Sequence, residues 1–221
     1  MMNEADIKTR HWLRVAILAG VGCGLSFGLA MGAPFALETR FMIMMTFGPF
    51  LCASALATYR FLKVHEDSVR LQIGTLLVII GGSINTLMIA MQGSLRFHFA
   101  ELPKGETAGD LLQVAWQRGY DSGNALQLGA DLAWDIFVFA GIILWGLALV
   151  KHPRFGHFVG WSGVTVGLVA LVINAWTYPT PPAEAGLFDI APLTGLWFTI
   201  LSIYMIRWYW TTRRRTKVSA V

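Results

Sequence analysis

Apolar residues form long runs along this chain, and short clusters of charged residues interrupt the runs at regular intervals. A helix needs about 20 mostly apolar residues to cross a bilayer. The six runs of this length predict transmembrane helices at 12–35, 41–62, 71–95, 128–150, 158–178 and 191–210. The pattern therefore predicts an all-α fold, a single polytopic membrane helix bundle that covers residues 1–221.

One connection between the predicted helices is long, and it covers residues 96–127. Within it, residues 110–120 place Leu111, Leu112 and Trp116 on one face of a short amphipathic helix. Such a helix lies on the membrane surface or caps a bundle. We therefore expect this segment to be a lid or a brace, with a gate as the alternative.

The basic residues fall in alternate connections, which fixes the predicted orientation. All but four of the 17 Lys and Arg residues lie on the side of the two chain termini. The four exceptions are Arg40, Arg96, Lys104 and Arg118. Because basic loops stay in the cytoplasm, both termini are predicted to be cytoplasmic and the 96–127 loop extracytoplasmic.

The composition supports a membrane protein over a soluble one. Hydrophobic residues make up 55% of the chain and charged residues 14%, whereas soluble domains carry about 25% charged residues. The net charge of +4 follows from the basic loops, so we predict the lipid bilayer as a partner and no nucleic acid.

A cleaved signal peptide is the alternative interpretation of the first predicted helix, but the apolar stretch of this helix is long for a signal peptide.

Two of the predicted helices carry spaced glycines. Small residues let membrane helices approach closely. The glycines predicted to pack are Gly20, Gly24, Gly28 and Gly32 in the first helix and Gly160, Gly163 and Gly167 in the fifth. We expect this packing within the chain, with a homodimer seam or a pore lining as the alternatives.

Five polar residues lie inside predicted helices, where polar groups are costly and often functional. They are Asn85, Gln92, Asp131, Asp135 and Asn174. The predicted topology puts all five in the outer halves of their helices, which favours one outward-facing site for a proton, a cation or a small polar ligand. In the alternative interpretation, Asp131 stabilises a helix N-terminus and the amides join helices by hydrogen bonds.

Motifs for catalysis or cofactor binding are not found. The chain has no P-loop, GxSxG, HExxH or GxGxxG sequence. Its five histidines lie near predicted membrane edges, which disfavours haem, and Cys23 and Cys52 lie in apolar runs without metal-ligand spacing. We therefore predict no cofactor and no metal centre. A non-enzymatic protein is favoured, with an intramembrane enzyme as the least favoured alternative because no nucleophile–base pair is visible.

Three stretches in the last third of the chain carry a resemblance to other proteins: HPRFG at 152–156, TYPTPPAEAGLFD at 177–189 and GLW at 195–197. They resemble segments of uncharacterised bacterial multi-spanning membrane proteins with about six helices. The resemblance implies a multi-pass protein of the bacterial inner (plasma) membrane and no particular activity.

Two hypotheses for the function follow from the sequence. The first is a non-enzymatic accessory protein that assembles with itself or another membrane protein, and the second is a small transporter or sensor.

Overall fold

The structure, a computed structural model, describes residues 4–65, 67–100, 110–153, 155–182, 184–188 and 191–218. These residues form helices and turns, with no strand in the described ranges. The helices are α1 (Glu4–Gly32), α2 (Leu37–Met45), α3 (Phe47–Leu62), α4 (Val69–Ala100), α5 (Asp110–Leu149), α6 (Gly156–Thr177) and α7 (Ala191–Val218). The predicted all-α bundle is confirmed.

The long helices form a closed ring in chain order. From α3 onward each helix packs on the next, α1 packs on α3, and α7 returns to α1. Arg14 Nε donates a hydrogen bond to the Tyr209 hydroxyl at 3.2 Å, which joins the start of α1 to the end of α7. Both termini therefore lie at one end of the bundle. We call it the inner end, because the basic residues predict that it faces the cytoplasm.

Within the described residues, five segments are long and apolar enough to cross a membrane. They are Ile7–Gly32, Leu37–Leu62, Val69–Phe99, Leu111–Leu149 and Gly156–Thr177. The sixth predicted window lies in α7, which Arg207 and several tryptophan and tyrosine residues make less apolar. Trp197, Leu201 and Met205 of α7 are nevertheless buried in the core, so α7 belongs to the bundle. The chain is a membrane-embedded helical protein.

The predicted helix 41–62 is interrupted by a kink at Thr46. The cause is Pro49, because proline lacks an N–H group and its ring collides with the carbonyl group four residues earlier. That carbonyl belongs to Met45, the last residue of α2. Ser26 of α1 covers the kink, with its Oγ 2.7 Å from Thr46 Oγ1.

The predicted long loop is mostly helical, which corrects its boundaries. α4 extends to Ala100, and α5 runs without a break from Asp110 through 40 residues. The segment 110–120 is therefore the first part of α5 rather than a separate helix on the membrane surface. Residues 101–109 lie outside the described residues.

Contacts between α4 and α5 explain why this extension stays helical despite its glycines. Gly123 lies against the side chain of Leu95, and a Cβ added at Gly119 would lie 3.5 Å from the Phe99 ring. The Phe99 ring also meets Trp116 edge-on, with centroids 6.3 Å apart. Glycine weakens a helix by about 1 kcal/mol relative to alanine, and these interhelical contacts compensate for it.

Large side chains fill the inner half of the bundle. Trp145, Trp197, Phe61 and Phe139 are each at most 2% exposed. The Trp145 indole donates to Thr75 Oγ1, and the Trp197 indole donates to the carbonyl oxygen of Val159, both at 3.0 Å. Because both indole N–H groups are paired, neither tryptophan buries an unsatisfied donor in this layer.

Candidate functional site

A pocket opens at the outer end of the bundle, between α5, α6 and the chain that follows α6. Its volume is about 270 Å³, including the open mouth. We call this pocket the outer cup. It is lined by Leu128, Asp131, Leu132, Asp135, Asn174, Tyr178, Pro179, Thr180, Pro181 and Pro182.

Helix α5 supplies the acidic wall of the outer cup. Asp131 and Asp135 are four residues apart, so they lie one turn apart on the same side of α5. Asp135 is only 6% exposed, whereas Asp131 is half-buried. The two carboxylates are therefore arranged along the depth of the pocket, with Asp135 as the deeper one.

Helix α6 supplies the opposing amide. A Cβ added at Gly167 would lie 2.9 Å from the Phe139 carbonyl oxygen, and the two helices are antiparallel. Asn174, two turns further out on α6, is therefore level with the two aspartates. Its Nδ2 donates to the Ala170 carbonyl oxygen at 2.9 Å. One of the two N–H groups of this amide is thereby used within its own helix, and the amide keeps a second N–H group and an acceptor oxygen.

The proline-rich chain after α6 closes the remaining side. A residue before proline is confined to extended backbone, and Tyr178 has ψ of 135° just before Pro179. The helix consequently ends at Thr177, and the chain turns over α5. Pro179 thereby comes to line the same pocket as Leu128 of α5.

The chemistry of the outer cup suits a small cation. None of its ten lining residues is basic, while two carboxylates face the same space. Like charges one turn apart repel each other more strongly where water is scarce, and a bound cation would relieve this repulsion. Transition metals prefer His and Cys ligands, which the lining lacks, whereas hard cations and ammonium groups take oxygen ligands.

The structure brings together three of the five predicted polar residues. Asp131, Asp135 and Asn174 share the outer cup, whereas Asn85 and Gln92 are not among its lining residues. Asn85 is buried on α4, and Gln92 lies two turns further out on the same helix and is half-buried. Both lie on α4, whereas the cup is formed on the side of α5 that faces α6.

Sequence reasoning missed the residues contributed by the chain after α6. Tyr178 and Thr180 add hydroxyl groups, and three prolines add apolar wall. A signal for this wall was present, since Pro179 follows Asn174 by five residues and must end the helix nearby.

The predicted packing glycines divide into two groups. Those of α6 lie against neighbouring helices: an added Cβ would be 2.5 Å from the Val150 nitrogen at Gly160, 2.6 Å from Trp197 at Gly163 and 2.9 Å from the Phe139 carbonyl at Gly167. In α1, an added Cβ at Gly20 would lie 2.9 Å from Ser202 Oγ. Among the residues that the structure describes, Gly24, Gly28 and Gly32 have no such neighbour within 4 Å.

Helix geometry explains why the run of glycines in α1 leaves the core. Four residues advance the side-chain direction by about 400°, which is about 40° more than one full turn. Three such steps from Gly20 to Gly32 rotate the glycine face by about 120°. Of the four, Gly20 alone lies against another helix in the described part of the chain, and a seam with a second chain stays a prediction for the others.

Close helix contacts also involve glycine pairs that the sequence analysis did not single out. Gly74 and Gly141 face each other between α4 and α5, where an added Cβ on either would lie within 3.0 Å of the carbonyl oxygen of the other. Gly146 meets the Gly160 carbonyl oxygen in the same way at 2.6 Å between α5 and α6. These pairs bind α4, α5 and α6 into the closely packed part of the ring.

No protein-family model, curated protein or solved structure matches this chain. The assignment of a function therefore depends on the geometry of the outer cup and of the helix faces.

Proposed function

We propose that this chain is a protein of the bacterial inner (plasma) membrane that binds a small cation at the outer cup and acts as a sensor or a small transporter. The observation that carries the proposal is the convergence of Asp131, Asp135 and Asn174 on one pocket. Two carboxylates that share one pocket attract cations, and the burial of Asp135 strengthens the attraction.

The packing of side chains in the inner half of the bundle bears on whether a cation bound at the outer cup could cross the membrane. Fully buried tryptophan and phenylalanine side chains occupy the layer beneath the outer cup, so the cup has a closed floor. A channel requires a continuous polar path across the membrane. The closed floor therefore favours a sensor, or a transporter whose inner half would have to rearrange, over a channel.

We expect a cation that binds the outer cup to raise the melting temperature of the detergent-purified protein, because a ligand of the folded state stabilises it. Sodium, calcium and methylammonium chlorides are titrated separately, with choline chloride as the ionic-strength control. Asp135→Asn should weaken the response to the binding cation at least about tenfold, as expected when a buried charge partner is lost.

Asp121→Asn is the matched control, because Asp121 lies on the same helix but is exposed and accepts a hydrogen bond from Gln117 Nε2 at 2.8 Å. This variant should titrate like the wild type. If Asp135→Asn and Asp121→Asn both titrate like the wild type, the cation-binding proposal is wrong.

The open glycine face of α1 favours a second candidate function, that of an accessory protein that assembles with itself or another membrane protein. Gly24, Gly28 and Gly32 present a small-residue surface of the type that joins membrane helices. No atom of a neighbouring element in the described ranges lies within 4 Å of a Cβ added at these positions.

Under this second function, Gly28→Leu should convert an oligomer into a monomer while leaving the fold intact. A Cβ at this position meets no atom of the described residues within 4 Å, whereas the bulk of leucine blocks the close approach of a second chain. The mass of the detergent-solubilised protein, measured by light scattering, checks the result. Leu25→Ala, which only trims an exposed side chain of the same helix, is the control. A wild-type protein that is already monomeric would rule out self-assembly through this face.

A further inference from the structure

A second set of polar groups lies at the interface between α4 and α5. The two helices are antiparallel, and a Cβ added at Gly141 would lie 2.6 Å from the Val78 side chain. One turn further out, Gly81 lies against Val138. The next turn outward on the same two faces carries Asn85 on α4 and Trp134 on α5. The register of the contacts therefore places these two side chains level with each other.

Both side chains carry a buried polar atom without a hydrogen-bond partner. Asn85 is 6% exposed, and its Oδ1 accepts no hydrogen bond in the described part of the chain. The Trp134 Nε1 is buried and likewise has no acceptor among the described residues. One atom is an acceptor and the other a donor, so the two are chemically complementary, yet they make no hydrogen bond with each other.

Unpaired buried polar atoms are uncommon in folded proteins, and a small internal cavity with several polar partners generally holds water. A molecule that satisfies both atoms must donate one hydrogen bond and accept another. Water is the smallest molecule with both properties. Trp134 directly precedes Asp135 along α5. The interface between α4 and α5 therefore lies beside the acidic wall of the outer cup.

We propose that a buried water molecule bridges α4 and α5, donating a hydrogen bond to Asn85 Oδ1 and accepting one from Trp134 Nε1. The bridge joins α4 to the helix that carries Asp131 and Asp135. It extends the polar interior of the outer half across α5, from its α6 side to its α4 side. This site does not depend on cation binding at the outer cup.

A double-mutant cycle tests the bridge through the melting temperature of the detergent-purified protein. Asn85→Leu and Trp134→Phe each remove one polar atom and keep most of the volume. Each should leave the water with one partner fewer and lower the melting temperature by about 2–10 °C. The double variant should lose no more than the worse single variant, because the two residues share one water.

Trp161→Phe, which changes an exposed tryptophan of α6, should leave the melting temperature unchanged. A melting temperature that rises in both single variants, or losses that simply add in the double variant, would overturn the proposal. A crystal structure of the wild-type protein, from crystals grown in a lipid mesophase, tests the water bridge even when a variant fails to fold. A water peak within hydrogen-bond distance of both atoms supports the bridge, whereas an empty interface or a direct bond from Nε1 to Oδ1 refutes it.

Discussion

Gly160→Ala is expected to destabilise the bundle, even though alanine is the better helix former. A Cβ at Gly160 would lie 2.5 Å from the Val150 nitrogen and 2.6 Å from its Cα. These are backbone atoms, so relief requires α5 and α6 to separate rather than a side chain to rotate. Overpacking of this kind costs about 1–3 kcal/mol, and separation would also disturb the contact of Gly146 with the Gly160 carbonyl oxygen.

The matched control is Gly28→Ala on α1, where the added methyl group meets no neighbouring atom within 4 Å. Alanine is favoured over glycine in a helix interior by about 1 kcal/mol, so this variant should be neutral or more stable. The free energy of unfolding in mixed detergent micelles checks both changes. Shifts of the same sign and size at the two positions would contradict the packing described for α6.

Trp145→Ala should cost about 3–5 kcal/mol, the largest loss expected for a single side chain here. The Trp145 side chain is 1% exposed and packs edge-on against Phe198, with ring centroids 6.4 Å apart. Its removal leaves a cavity between α4, α5 and α7, because closely packed backbones cannot collapse into the space. Unfolding in the same micelles measures the loss.

Trp145→Phe separates the loss of volume from the loss of the hydrogen bond. The Thr75 hydroxyl that accepts the indole bond also donates to the Leu71 carbonyl oxygen at 2.7 Å. No buried donor is therefore stranded, and the expected loss is about 1 kcal/mol. Equal losses in the alanine and phenylalanine variants would show that the hydrogen bond, rather than the packing, stabilises this layer.

Apolar run length was enough to predict most of the helices, because a membrane span must satisfy its own backbone. The kink at Thr46 was also accessible, since Pro49 cannot accommodate the Met45 carbonyl. The helical extension of α4 and α5 was not accessible. It depends on contacts such as Gly123 with Leu95, which join residues far apart in the chain.

Only the acidic wall of the outer cup could be predicted from the sequence with its correct neighbours. Asp131 and Asp135 share a helix face through their spacing, and the alternation of spans puts Asn174 at the same end. A helical period identifies residues that share a face, but not which neighbouring helix that face meets. Asn85 therefore seemed equivalent to Asn174, although the structure turns it toward a different side of α5.

The glycines show the same limit. The four-residue spacing in α1 was conspicuous along the chain, yet of these four glycines only Gly20 meets another helix within the described residues. The contact of Gly74 with Gly141 is invisible in one sequence, because the two partners belong to different helices.

The length of α5 has a mechanical consequence. Its 40 residues make a rod about 60 Å long, twice the thickness of the hydrocarbon core, at about 30 Å. Asp131 lies near the middle of this rod, and about 30 Å of unbroken helix separates it from the outer tip. The first half of the rod is braced along α4 through contacts such as that of Phe99 with Trp116. A displacement of the tip would therefore be transmitted along α5 to the acidic wall beside α6.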